Sequence, residues 1–387
     1  MKKTMQFIDL KTQQNRIRNK IEKNIKNVLD HGQYIMGPEI AELEDKLGQF
    51  SGVKHAVACS SGTDALLLSL MAYGVGPGDA VFTTPFTFIA TAEVISLLGA
   101  VPVFVDIDPD TFNISPAELE KAILAVKNAD RSVYPIPVSL SPKGVIAVNL
   151  FGLPADYEQI NRIAENHDLF VIEDAAQSFG AEYKGRRSCS LAETACTSFF
   201  PAKPLGCYGD GGMCFTDNDE LAKRIKSFRI HGQGDHPYDN VQVGLNGRMD
   251  TLQAAILLSK FEIFREEIVL RQQVADRYNE LLAGCSFLVK QHIPESCRSV
   301  WAQYSLLSKN NNERLTLMKK MKADGIPYAV YYPKPLHLQT AFASLGYVDG
   351  SFSVSEDYSN RIFSLPMHPY LDEESQLKII RILTDKK

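Results

Sequence analysis

Lys203 stands in TSFFPAKPLG, a setting that predicts chemistry rather than solvent exposure. Phe199, Phe200 and Leu205 would strip water from its ammonium and lower its pKa, as a nucleophilic or Schiff-base lysine requires. Pro201 and Pro204 hold it on a stiff loop, and a glycine-rich run from Gly206 to Gly212 follows. Three more polar segments close apolar stretches. Ser60-Ser61-Gly62-Thr63 leads into ALLLSL, and a small-residue turn at a helix start presents free N–H groups that suit a phosphate. The same four residues also suit an ordinary capped helix. Asp174 ends VIED, where an ionised carboxylate needs a partner: a protonated ring nitrogen serves, and so does a cap on the next helix. Gln177, one turn further, is in reach of a ring hydroxyl. Thr83-Thr84-Pro85-Phe86-Thr87-Phe88 supplies, in Phe88, a flat face for stacking or a plain core contact. Ser198, five residues before Lys203, offers a hydroxyl to the same phosphate. Lysine, aspartate, phosphate turn and ring face together describe a site for pyridoxal 5′-phosphate (PLP), whose ring draws electrons when an acidic residue keeps its nitrogen protonated.

The elements that must position these groups follow from periodicity. Short apolar runs, AVAC (56–59), VFTT (81–84), VPVFVDI (101–107), GVIAVNLFG (144–152) and LFVIEDA (169–175), alternate with helical patterns. Strands apolar throughout imply a largely parallel sheet covered on both faces, and in such sheets ligands sit beyond the carboxyl ends of the strands. All four polar segments lie at such ends. Ser115 and Glu118 predict a capping box. A long helix is expected from Asp250 to about Leu282. Residues 128–144 carry loop chemistry and read as an insertion. The division expected is a large cofactor domain with an N-terminal arm over 1–260 and a small α+β domain over 261–387.

Composition narrows the function classes. With 41 basic against 46 acidic residues among 387, the chain has no general basic footprint for nucleic acid. No apolar run reaches membrane-spanning length, and the first residues lack the apolar core of a signal peptide. Seven cysteines without a CxxC pair argue against a disulfide framework or a metal site, so the expected compartment is the cytoplasm.

The chain resembles the DegT/DnrJ/EryC1/StrS sugar aminotransferases, within the α/β fold type I PLP-dependent transferases. The resemblance rests on GQYIMGPEI, SSGTDALLLSL, FTFIATAEVISLLGAVPVFVDID, VIEDAAQSFGAEYKG, TSFFPAKPLGCYGDGGMCFT, HGQG, GLNGRMDTLQAAILL and SLPMHPYL, in order along nearly the whole length. It implies that Lys203 carries the Schiff base. It also implies that Asp174 pairs with the ring nitrogen, Gln177 meets the ring hydroxyl and Phe88 stacks on the ring. Gly62, Thr63 and Ser198 then bind phosphate, and Asn246 reaches the phosphate of a neighbouring subunit in a homodimer with shared sites. Arg248 is placed to meet an anionic group of the substrate, and Tyr331 and Tyr332 lie in a loop that borders the sugar. The wording FFPAKPLGCYGDGG is nearest to enzymes that aminate position 3 of UDP-2-acetamido-3-keto-hexuronic acids with glutamate as donor. Where those enzymes tend to read His-Tyr-Pro, this chain has Tyr331-Tyr332-Pro333, which leaves a neutral 4-keto-6-deoxy sugar as the alternative substrate. A dehydratase of the same fold commonly has histidine in place of Lys203. A nucleotide-binding oxidoreductase would show GxGxxG after its first strand, which is absent. A non-enzymatic regulator on the same fold is the remaining reading from a different class.

Overall fold

The computed structural model describes residues 5–131, 134–135 and 139–384. Nine strands belong to its first two thirds: β1 (His55–Cys59), β2 (Asp79–Thr83), β3 (Val101–Phe104), β4 (Ser141–Val148), β5 (Phe170–Asp174), β6 (Glu182–Tyr183), β7 (Arg186–Arg187), β8 (Thr194–Ser198) and β9 (Gly212–Thr216). The helices among them are α1 (Leu10–His31), α2 (Pro38–Ser51), α3 (Gly62–Ala72), α4 (Ala90–Leu97), α5 (Pro116–Lys127), α6 (Tyr157–Asn166), α7 (Asp219–Arg229) and α8 (Thr251–Leu281). Seven strands form one sheet in the order β1-β9-β8-β5-β4-β2-β3. The pairs β2–β3, β2–β4, β4–β5 and β5–β8 are parallel. Only β9 is reversed, antiparallel to both β1 and β8. The chain reverses through the loop 199–211 and returns beside β8.

Both faces of the sheet are buried, which is why its strands carry no polar alternation. Val145 and Ala147 pack with Leu119 of α5 and Ile160 of α6, whereas Ile146 between them packs with Leu66 of α3 and Val94 of α4. Helix α8 changes partners along its length and runs unbroken through residue 260. Ala254, Leu257 and Phe264 share a cluster with Ile40 and Leu43 of α2. Val274 and Tyr278 join the C-terminal elements instead. Those elements are β10 (Val289–Lys290), β11 (Cys297–Arg298), β12 (Tyr304–Leu307), α9 (Asn311–Ala323), α10 (Ser353–Arg361), β13 (Ile362–Leu365) and α11 (Glu373–Thr384), with β10-β12-β13 as a small antiparallel sheet.

Two hydrogen-bonded ties bring this region to the carboxyl ends of the large sheet. The Asp106 carboxylate, just past β3, accepts the N–H groups of Val354 and Ser355 at 3.0 Å each and so caps α10. The Leu336 N–H donates to the Pro85 carbonyl at 2.8 Å.

Two sequence expectations need correction. The segment 128–144 is not loop throughout: β4 begins at Ser141, which pairs with Asp79, and Pro142 pairs with Ala80. Residues 132–133 and 136–138 of that segment lie outside the described residues. The capping box at α5 is only half made. The Ser115 side chain accepts the Glu118 N–H at 3.3 Å, but Glu118 turns to Lys121 at 2.6 Å. The Ser115 N–H donates instead to the Asp106 carbonyl at 3.0 Å, which leaves the glutamate nothing to cap. Among the described residues, no helix is long and apolar enough to cross a membrane.

Candidate active site

The ends of β1, β5 and β8 converge with the start of α4. Asp174, the last residue of β5, is held between its neighbours: its carbonyl accepts the Asn149 N–H at 3.0 Å, and the Ala175 N–H donates to the Cys196 carbonyl at 2.7 Å. One carboxylate oxygen accepts the Thr91 hydroxyl at 2.9 Å and the other the Ala176 N–H at 3.1 Å. Burial pushes the Asp174 carboxyl upward from its ordinary range, while these two donors and the nearby Lys203 charge oppose the rise. The same burial lowers the Lys203 ammonium, and Asp174 again opposes the shift. The two groups therefore feel each other across the site.

Lys203 rides on a loop that closes on itself between β8 and β9. Its N–H donates to the Phe200 carbonyl at 2.9 Å, and the Cys207 N–H donates to the Phe199 carbonyl at 2.8 Å. At Gly206 a Cβ would meet the Phe200 and Pro201 carbonyl oxygens at 2.6 Å, so the loop closes only with glycine there. No hydrogen bond or ion pair engages Lys203 Nζ among the described residues.

Beside it, Ser61 caps α3 through the Asp64 N–H at 3.0 Å. The Gly62 and Thr63 N–H groups are left without an acceptor among the described residues. A Cβ at Gly62 would lie 2.6 Å from the Ser198 Cβ, which is how closely the turn seats against the end of β8. Gln177 is buried, accepting the Phe151 N–H at 2.7 Å and donating to the Tyr332 hydroxyl at 3.2 Å. Tyr332 in turn meets Phe86 edge-on with ring centres 6.3 Å apart, and Tyr331 meets Phe7 at 6.5 Å. Phe88, one turn before Thr91, is 55% exposed and leaves a ring face uncovered, not the plain core contact that sequence also allowed.

Asn246 and Arg248 stand beside the turn rather than in it. The Ser60 N–H donates to the Gly247 carbonyl at 2.9 Å, and Arg248 Nε donates to the exposed Asn246 at 2.9 Å. Among the described residues, Arg248 has no carboxylate as its hydrogen-bond partner.

Comparison with known proteins identifies a family. The family profile described as the DegT/DnrJ/EryC1/StrS aminotransferase family matches residues 15–384. The chain belongs to that family. It is 50% identical over 380 residues, 97% of this chain and 98% of the relative, to UDP-2-acetamido-2-deoxy-3-oxo-D-glucuronate aminotransferase of Pseudomonas aeruginosa. It is 40% identical to a pleiotropic regulatory protein of Geobacillus stearothermophilus, covering 98% of this chain and 97% of that one. Among solved structures, a DegT/DnrJ/EryC1/StrS aminotransferase from Brucella abortus superposes with a TM-score of 0.92 at 49% identity, covering 98% of both chains. The PLP form of the sugar aminotransferase Spr1654 of Streptococcus pneumoniae gives 0.86 at 27% identity, covering 94% of this chain and 95% of that one.

As a DegT/DnrJ/EryC1/StrS aminotransferase the chain uses PLP, and its residues fit that cofactor. A buried carboxylate, Asp174, lacks a full counter-charge, two helix-start N–H groups are open to an anion, and the Phe88 face is free. Sequence reading missed Thr91, because a hydroxyl in a helix's first turn gives no sign of which strand it will face. It also missed Lys260, which is buried on α8, donates to the Gly206 carbonyl at 2.6 Å and lies 4.2 Å over the Tyr208 ring. Burial holds its ammonium down to about 8. A lysine within the apolar run AAILLSKFEIF was the available signal.

Proposed function

We propose that this aminotransferase moves an amino group from glutamate to carbon 3 of a UDP-2-acetamido-3-keto-hexuronic acid. The observation that carries this reading is Lys203 near enough to buried Asp174 for each charge to act on the other, on a loop that follows Ser198, against which the Ser60–Thr63 turn is seated. The substrate assignment is supported by the 50% identity to an enzyme named for such a sugar. When bound, PLP supplies an electron-withdrawing ring that acidifies the hydrogen on the carbon bearing the amine. Asp174 would hold the proton on the ring nitrogen, since its burial favours a neighbouring cation. Gln177 would offer its remaining N–H to the ring hydroxyl, and Phe88 would offer its exposed face to the ring. Gly62, Thr63 and Ser198 hold the phosphate. Lys203, with its pKa lowered by burial, takes the proton from the amino donor and returns it to the acceptor side in the second half-reaction. Two half-reactions on one site give ping-pong kinetics.

Tyr331 and Tyr332 form the sugar wall, and Gln177 links that wall to the cofactor through Tyr332. Arg248 binds the sugar carboxylate, which a guanidinium holds with two parallel hydrogen bonds. Arg248→Gln is expected to lose roughly 10- to 100-fold in kcat/KM on the uronate, the cost of one charge-assisted bond. On the uncharged 6-hydroxymethyl analogue it should lose much less. Equal losses on both would remove Arg248 from carboxylate recognition. Wild-type preference for a neutral 4-keto-6-deoxy sugar would overturn the uronate assignment while leaving the transamination intact. Absence of any amine transfer across a panel of keto nucleotide sugars would favour the regulatory reading, which the 40% identical relative's name raises.

Asn246 completes the phosphate site of a second copy. The surface beside it supports a homodimer: Tyr34, Ile35 and Met36 are 49%, 46% and 41% exposed, and Ile35 bridges to Asp250 next to that loop. Mixing Lys203→Ala with an inactive Asn246→Ala enzyme should restore activity, because one site of each mixed dimer is then wild type. No recovery despite demonstrated subunit exchange would count against shared sites. All seven cysteines are free thiols, six of them buried, which suits a reducing compartment and supports the cytoplasm.

A further inference from the structure

β1 is an edge strand, bonded to β9 on one side and to no strand on the other. Its outer edge nevertheless lies in the interior, and a buried backbone group without a partner is costly. At Ala58, which is fully buried, both outward groups are met by side chains. The Ala58 N–H donates to Glu44 Oε1 at 2.9 Å, and its carbonyl accepts from Arg229 Nη1 at 2.7 Å. Glu44 comes from α2 and Arg229 is the last residue of α7, and the two are paired at 2.6 Å with the guanidinium buried. The pair supplies the two bonds that a neighbouring strand would make.

Two residues further on, the strand becomes the turn that begins α3. There the Ser60 N–H donates to the Gly247 carbonyl at 2.9 Å, and the Gly247 N–H donates to the Arg229 carbonyl at 2.9 Å. Asn246 bridges to Ile230, the residue after Arg229. Arg229 therefore grips the strand entering the turn with its side chain and the Asn246–Arg248 loop with its main chain. Among the described residues, no other residue bonded to this strand end does both.

We infer that the Glu44–Arg229 pair is a positioning device that fixes the Ser60–Thr63 turn relative to the Asn246–Arg248 loop, and so sets the enzyme's affinity for the cofactor's phosphate. This rests on the reading of Gly62, Thr63 and Ser198 as phosphate ligands. Arg229 touches no ligand itself. Lysine at 229 keeps the charge but has a single ammonium in place of a fork, and glutamine at 44 keeps an acceptor for the Ala58 N–H while losing the charge.

The test compares PLP with pyridoxal, which has the same ring and no phosphate. Apoenzyme is titrated with each by absorbance and fluorescence, and with inorganic phosphate as a competitor. Arg229→Lys and Glu44→Gln are each expected to weaken PLP about tenfold or more, the scale of a charge-assisted contact, and to weaken phosphate in parallel. Pyridoxal affinity should change less than about twofold, which a purely structural role would not produce. If PLP and pyridoxal weaken equally, or neither weakens, the positioning role is overturned. Should Arg229→Lys fail to fold, Glu44→Gln decides by the same ratio. Ser198→Ala serves as the control on the underlying reading. If it leaves phosphate and PLP affinity unchanged, the phosphate site itself is wrongly placed. If it weakens both while the Glu44 and Arg229 variants do not, only the positioning inference falls.

Discussion

Lys203→Ala should abolish turnover while leaving a folded protein that still takes up the cofactor. The lost proton transfer alone removes about 10²- to 10⁴-fold. Losing the covalent attachment of PLP adds to that. Borohydride should fix the cofactor to Lys203 in the wild type and to no residue in the variant, and peptide mapping reads the difference. Labelling at Lys260, the other buried lysine beneath the same loop, would overturn the assignment. The structure argues against that outcome, because Lys260 Nζ is held by the Gly206 carbonyl and covered by Tyr208. Methylamine added to Lys203→Ala should recover part of the activity, since a small free amine can occupy the space left by the side chain.

Asp174→Asn tests the other half of the pair. The amide keeps the size of the carboxylate, but its single oxygen can accept from only one of the two donors that Thr91 and Ala176 present to different carboxylate oxygens, and it cannot stabilise a protonated ring nitrogen. Removing one member of a buried charge pair costs roughly 3–5 kcal/mol, so kcat should fall by about 10²- to 10³-fold or more. The absorbance of the bound cofactor should also lose its ordinary dependence on ring protonation. Asp174→Glu is expected to be impaired as well, because Val148 and Cys196 flank the strand end on both sides and the longer side chain has no room to withdraw. Full activity in Asp174→Asn would show that the ring works without its proton.

Much of this is legible in the amino-acid sequence. The apolar runs set the parallel sheet, because a strand buried on both faces cannot carry polar residues, and the polar segments then had to lie at strand ends. Lys203 and Asp174 stood out because each puts a charge among apolar neighbours. The reversed strand β9 was not legible, since GMCFT is as apolar as the parallel strands of the sheet and direction leaves no mark on composition. Nor was the start of β4 inside a segment rich in proline and serine, where pairing with β2 overrides local preference. Glu44 and Arg229 were invisible for a different reason. They lie 185 residues apart, and an acid in one helix and a base at the end of another carry no sign of each other until the fold brings them together.

The hydrogen bond from Leu336 to Pro85 bears on how such enzymes acquire new substrates. It fixes the backbone just after Tyr331 and Tyr332 to the segment that also carries Phe86 and Phe88. Under the proposed reading, the tyrosine wall is therefore suspended from the same frame as the Phe88 face. Its two tyrosine side chains can be exchanged without redrawing the chain that bears them. Exchanging Tyr331 would alter that wall and leave Gln177 as it is, whereas exchanging Tyr332 would also remove the hydroxyl that Gln177 donates to.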